Sequence, residues 1–218
     1  MRFFSMDGPL FRFLSLVSDL LILNIVYVIT CIPIFTIGTA TSALYRTMLD
    51  KRYGRPAGVR SYFRFFKSNF RQSTLRYLFS LLIGAVLVFD IWFTRAGRLP
   101  MQQIFVPLFF LMLTVLSVIS SWVLALTGQF SNTAKKTFKN AALLAPLHPS
   151  VSLLFLLRFI PAALAYISED LFLLLSAVFF LIYYALSAYL AAGPMSKVFL
   201  QLMTPEEAAE LTEKGSDD

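Results

Sequence analysis

Four residues that ionise or hydrogen-bond strongly fall inside apolar runs: Asp19, Asn24, Asp90 and Arg158. A charge in hydrocarbon costs at least ~2.5 kcal/mol on insertion scales, so such a residue faces a partner or a wet cavity. Arg158 is the most informative of them, and two readings stay open. It pairs within the bilayer with Asp19 or Asp90, or it snorkels to the outer headgroups while Asp90 simply sits near its helix end. A second set is periodic: Arg60, Arg64, Lys67 and Arg71 recur at steps of four, three and four, with Phe63, Phe66 and Phe70 on the same period one position away. That spacing predicts an amphipathic helix lying at a membrane surface. It would hold anionic lipid at roughly 1 kcal/mol per basic residue, or dock a cytoplasmic partner. Lys135, Lys136 and Lys139 make a second basic segment of the same kind.

Catalytic chemistry finds no comparable support. The one histidine, His148, is wedged between Pro146 and Pro149 without a nucleophile or carboxylate at a useful spacing. Glu169 and Asp170 are adjacent and are most simply a solvated turn. No Gly-x-x-x-x-Gly-Lys loop is present to cradle a nucleotide phosphate. The single Cys31 excludes an internal disulfide and a cysteine metal cluster, and reads as a buried, inert thiol. The expectation is therefore a protein that is not an enzyme and carries no cofactor or metal.

The elements that position these residues follow from composition. Of 218 residues, 58% are hydrophobic and 14% charged, and the mean hydropathy is +0.73; a soluble domain carries closer to ~25% charge. Lipid is the expected solvent. The net charge of +7 then belongs to anionic headgroups and to topology, and not to nucleic acid. Apolar stretches predict five spans, at about residues 10–33, 77–94, 104–127, 141–166 and 171–192. The fold class expected is all-α: a polytopic membrane helix bundle with added cytoplasmic amphipathic helices, one domain over residues 1–203, and a short acidic tail over 204–218.

The breaks are legible as well. Pro33 and Gly38 end the first span, and Thr36, Thr39, Thr41 and Ser42 make a polar re-entry whose hydroxyls satisfy freed backbone groups. Asp19, the length of the stretch and the basic segment that follows argue for a retained span and against a cleaved signal peptide. Pro146, His148, Pro149 and Pro161 interrupt the fourth span, which predicts a kink or a late start near Pro149. Gly193-Pro194 is expected to end the fifth. In the tail, Thr204-Pro205-Glu206-Glu207 reads as a capped helix start. Phe66-Lys67-Ser68-Asn69 and Phe138-Lys139-Asn140 hint at a repeated unit of basic helix plus hairpin, as readily a coincidence in a Phe-rich chain.

Positive charge sets the expected orientation. Arg46, Lys51, Arg52, Arg55, Arg60, Arg64, Lys67, Arg71 and Arg76 crowd the connection between the first two spans against Asp50 alone. That connection, the lysine segment and the C-terminal tail are expected in the cytoplasm, and the N-terminus outside. Arg2 and Arg12 run against this rule.

Three stretches resemble a bacterial family, the YesL-like membrane proteins, classed as a domain of unknown function. They are Ile32-Pro33-Ile34-Phe35-Thr36-Ile37-Gly38 leading to Ala43-Leu44-Tyr45-Arg46, residues 63–71 (FRFFKSNFR), and residues 137–144 (TFKNAALL); Met6-Asp7-Gly8-Pro9-Leu10 also fits. Pro33, Thr36, Gly38, Tyr45 and Arg46 carry the motif, with Thr39 a departure where a small residue or proline is expected. Members of that family commonly occur beside carbohydrate ABC importers and sugar-utilisation genes in Gram-positive bacteria. The resemblance thus implies a non-catalytic accessory subunit in a bacterial cell membrane, contacting permease subunits and the importer's solute-binding protein. The runner-up is a small oligomeric transporter or channel, a homo-oligomer whose path Asp19, Asn24, Asp90 and Arg158 would line.

Overall fold

Long apolar stretches leave a backbone in hydrocarbon few ways to satisfy its N–H and C=O groups, and helices do so within one segment. The computed structural model describes residues 9–97 and 102–206. Among them the chain forms α1 (Pro9–Thr30), α2 (Ile37–Arg52), α3 (Val59–Ala96), α4 (Gln102–Gln129) and α5 (Ala134–Leu147). Then come α6 (Pro149–Leu156), α7 (Ile160–Ile167), α8 (Glu169–Val178) and α9 (Tyr184–Leu202), with no strand among the described residues. Five stretches are long and apolar enough to cross a bilayer: Phe13–Thr30, Val59–Ala96, Gln102–Gln129, Pro149–Ile167 and Glu169–Leu202. The chain is an all-α, multi-pass membrane protein.

The centre of the molecule is α2, which is not a span. Thr39, Thr41, Ser42, Thr47 and Asp50 make it polar, yet almost every residue from Gly38 to Asp50 is buried. It packs against α1, α3, α4 and α9. Lipid tails are as apolar as Leu, so close packing and hydrogen bonds between helices, more than a hydrophobic drive, hold such a bundle. Thr39 donates to the Phe70 carbonyl at 3.2 Å and shares a 2.8 Å hydrogen bond with Thr74, and Ser42 donates to the Leu124 carbonyl at 2.9 Å. Trp122, Tyr62, Phe155 and Phe199 fill the space around α2. The Trp122 indole N–H donates to Ser152 at 3.0 Å, and Ser152 donates on to the Ala145 carbonyl at 2.8 Å, which ties α4, α5 and α6 together. Away from this core, the far halves of α3 and α4 leave Leu82, Phe89, Trp92 and Leu111 exposed, as lipid-facing helices do.

Several expectations need correction. The basic stripe is not a separate helix lying on the membrane: Arg60–Arg71 is the first half of α3, which runs unbroken from Val59 to Ala96. No glycine or proline occurs before Gly84, and Ser73 and Arg76 are buried in the same helix, so nothing breaks it at the bilayer edge. The fourth span starts at Pro149 and not at 141, because His148 leaves the helical region at φ −124°, ψ 69° and separates α5 from α6. Gly193-Pro194 does not end the fifth span. Pro194 removes one donor, but Arg52 lies against this turn and donates to the Tyr189 carbonyl at 3.2 Å, and α9 continues to Leu202. Gly38 does not break the chain either; it opens α2. The proposed repeat also dissolves, since the first motif sits within α3 and the second in the separate α5. Residues 6–8, Arg2, Arg98, Pro100 and Glu207 lie outside the described residues, as does the side chain of Arg12.

Candidate functional site

The intramembrane polar residues do not meet one another. Asp19 forms an ion pair with Lys51 at the end of α2, which corrects its expected place beside Arg158. The hairpin of α1 and α2 brings the two together, just as it brings Tyr27 to Thr41 at 3.2 Å. Asn24 is fully buried and serves the fifth span, where residues 179–183 widen into a π-turn. Such a turn leaves carbonyls misaligned with their usual donors. The Asn24 amide donates to the Phe180 carbonyl at 2.7 Å and the Phe179 carbonyl at 3.3 Å, while its oxygen accepts from the Ala185 N–H at 2.8 Å.

Arg158 has no carboxylate within ion-pair distance among the described residues, so neither Asp19 nor Asp90 is its partner. It does not extend freely to headgroups either. Its guanidinium donates to Ser121 at 3.3 Å and Thr41 at 3.4 Å, with the Phe159 ring 5.6 Å away and Tyr45, Tyr27, Cys31 and Tyr77 around it. Hydroxyls from α2 and α4 thus solvate a cation that no acid neutralises. Asp90 is half-buried near the far end of α3 and makes no ion pair among the described residues.

The motif bend is a structural joint. Thr36 accepts the role expected of it, its hydroxyl lying 2.6 Å from both the Thr30 and Pro33 carbonyls at the break. Tyr45 is buried and packs on Phe155 at 5.2 Å between ring centres. Arg46 reaches outward from α2 to Gln129 and to Asp50, 3.4 Å away.

The basic residues divide into two groups. Lys67, Arg71, Lys135, Lys136 and Lys139 are exposed, as are Phe63 and Phe70, while Phe66 is half-buried between Tyr62 and Phe70. Arg60 and Arg64, also exposed, line a cleft of ≈ 520 Å³ with Arg46, Arg55, Asp50, Pro56, Ser61 and Phe65. Arg55 lies 3.6 Å from Asp50. Burial pushes the Asp50 carboxyl above its ordinary range against the pull of Arg46 and Arg55, and burial lowers the Arg46 guanidinium. The neighbouring Tyr53 hydroxyl is pushed up to about 12, again by burial.

Periodicity did not single out Arg55, Asp50 or Arg76 as site residues. Arg76 is buried and donates to Thr127 at 2.6 Å and to the Asn132 carbonyl at 2.5 Å, locking α3 to the end of α4. The available signal was Asp50, the lone acid in a segment of nine cations.

No curated protein and no solved structure matches the chain. The family model described as "Protein of unknown function, DUF624" does match, over residues 20–91, a stretch that holds the motif bend, α2 and most of α3. The matched segment is thus similar to the DUF624 family, to which YesL-like proteins belong.

Proposed function

We propose that this chain is a non-catalytic accessory membrane subunit of a carbohydrate ABC importer. Its spans would meet permease helices, and its exposed basic segments would meet permease loops or anionic lipid. On this reading the basic connections and the C-terminal tail lie in the cytoplasm of a bacterial cell, together with the N-terminal end of α1, which the antiparallel α1–α2 hairpin sets on the same side as the basic turn, and the solute-binding protein approaches the outer turns. One observation carries the choice. Three of the four polar residues within the spans are consumed in separate internal contacts, Asp19 with Lys51, Asn24 with the π-turn and Arg158 with Ser121 and Thr41, while the outward faces of α3, α4 and α8 are apolar. That pattern suits docking in a membrane better than conduction. The importer is supported by the family resemblance.

Affinity purification from native membranes is expected to recover permease subunits with the tagged chain. Recovery of none, together with normal sugar uptake in a deletion strain, rejects the reading. The competing reading, an oligomeric transporter, needs Asp19, Asn24, Asp90 and Arg158 on one path. Liposomes reconstituted with the purified chain are expected to show no solute flux above empty ones.

A further inference from the structure

Four guanidinium groups, from Arg46 on α2, Arg55 in the following turn, and Arg60 and Arg64 on the first turns of α3, converge on one cleft of ≈ 520 Å³. The turn is built to bring them there. Gly54 takes φ 72°, a conformation that costs glycine nothing, and the chain doubles back so that the Arg55 N–H donates to the Asp50 carbonyl at 2.9 Å. Phe65 supports two of the cations at once, with the Arg46 guanidinium 5.2 Å and the Arg64 guanidinium 5.0 Å from its ring centre. Cation–aromatic contacts of this kind hold guanidinium planes in place without using their donors.

The one acid in the cleft does not use up those donors. Asp50 is an ion-pair neighbour of Arg46 and Arg55 at 3.4 and 3.6 Å, yet its Oδ1 accepts no hydrogen bond. Arg46 Nε, buried beside it, donates none. Four cations against one carboxylate leave a net charge of +3 in a partly buried space. Like charges this close raise the energy of the empty cleft, and an incoming anion with several acceptor oxygens relieves it. Guanidinium forks match tetrahedral phosphate oxygens in pairs, and a phosphate monoester brings up to two negative charges where a carboxylate brings one.

We infer that the cleft between α2 and the start of α3 is a binding site for the phosphate group of a phosphorylated ligand. This goes beyond the accessory-subunit reading and does not depend on the partner. A lipid headgroup and a soluble phosphate compound share the necessary chemistry, and the two arms of the test distinguish them.

The test uses the full chain purified in a zwitterionic detergent. Thermal unfolding is followed while inorganic phosphate is titrated, with sodium chloride at matched ionic strength as reference. Arg60→Gln/Arg64→Gln removes two cleft donors; Lys67→Gln/Arg71→Gln removes the same charge from the exposed part of the same helix. Phosphate is expected to raise the melting temperature of the unmodified chain and of the Lys67/Arg71 variant along a saturating curve. The Arg60/Arg64 variant is expected to need at least tenfold more phosphate. A parallel arm compares nanodiscs of phosphatidylcholine with and without phosphatidic acid. Saturable stabilisation in detergent supports the soluble source; stabilisation by phosphatidic acid alone, still lost in the Arg60/Arg64 variant, supports the same site filled by lipid. Equal responses to phosphate and chloride, or equal losses in the two variants, overturn the inference.

Discussion

Gly38 marks how closely α2 and α3 approach. A Cβ at this position would fall inside the envelope of the Tyr77 Cβ and Cγ and lie 3.1 Å from the Ser73 carbonyl oxygen. Neither of those backbone-near atoms swings away, so Gly38→Val is expected to cost ~1–3 kcal/mol, the usual range for overpacking. Gly84, further along α3 where it faces α4, meets only the Leu116 and Leu113 methyls at 3.7 and 3.8 Å; Gly84→Ala should melt within experimental error of the parent in detergent. Equal effects at the two glycines would contradict the packing of α2 on α3. Asn24→Leu is expected to be costly for a different reason. It strips partners from two carbonyls in the π-turn and from the buried Ala185 N–H just after it, at ~1–3 kcal/mol for unsatisfied buried groups, and should appear as a lowered melting temperature with the apolar volume preserved. The Asn24 side chain was legible as a polar residue facing inward. Its partners were not, because a π-turn at residues 179–183 has no sequence signature.

At the scale of the element, α3 separates two pictures of the basic segment. If residues 60–71 formed their own surface helix, the stretch between it and the span would tolerate a helix breaker. In the continuous helix Gln72 is an exposed interior position, so Gln72→Pro should cost ~3 kcal/mol or more, while Gln72→Ala is neutral. Circular dichroism and thermal unfolding of the two variants decide it. The 3.6-residue period of Arg60, Arg64, Lys67 and Arg71 was readable, and so was the apolar span. Whether the two share one axis was not, because periodicity describes a face and says nothing of what the face packs against. α2 hid for the converse reason. Its threonines and serines look like a solvated bend, and they are buried because Thr39, Thr41 and Ser42 find carbonyls or hydroxyls on neighbouring helices while Thr47 donates back to the Ala43 carbonyl of α2 itself.

The whole molecule raises the question of sidedness. With Cys31 replaced by Ser, single cysteines at Lys67 and Tyr166, both exposed, are expected to react oppositely in intact cells. Tyr166→Cys should label with a membrane-impermeant maleimide from outside, and Lys67→Cys only after permeabilisation. Reversal of this pattern would invert the proposed topology and remove the cytoplasmic docking face with it.

By itself the sequence determined the solvent, the fold class and the density of positive charge on one connection, because hydropathy and periodicity are sums over neighbouring residues. It also located the break at Pro149 and the hydroxyl of Thr36 that caps the first break. Tertiary structure alone decided the pairings. Asp19 meets Lys51, Arg158 meets hydroxyls instead of an acid, and two of the three arginines in the surface stripe, Arg60 and Arg64, join Arg46 and Arg55 around one cleft. Such contacts depend on how helices cross, and the partners of Asp19 and Arg158 lie more than thirty positions away in the chain, where no local pattern records them.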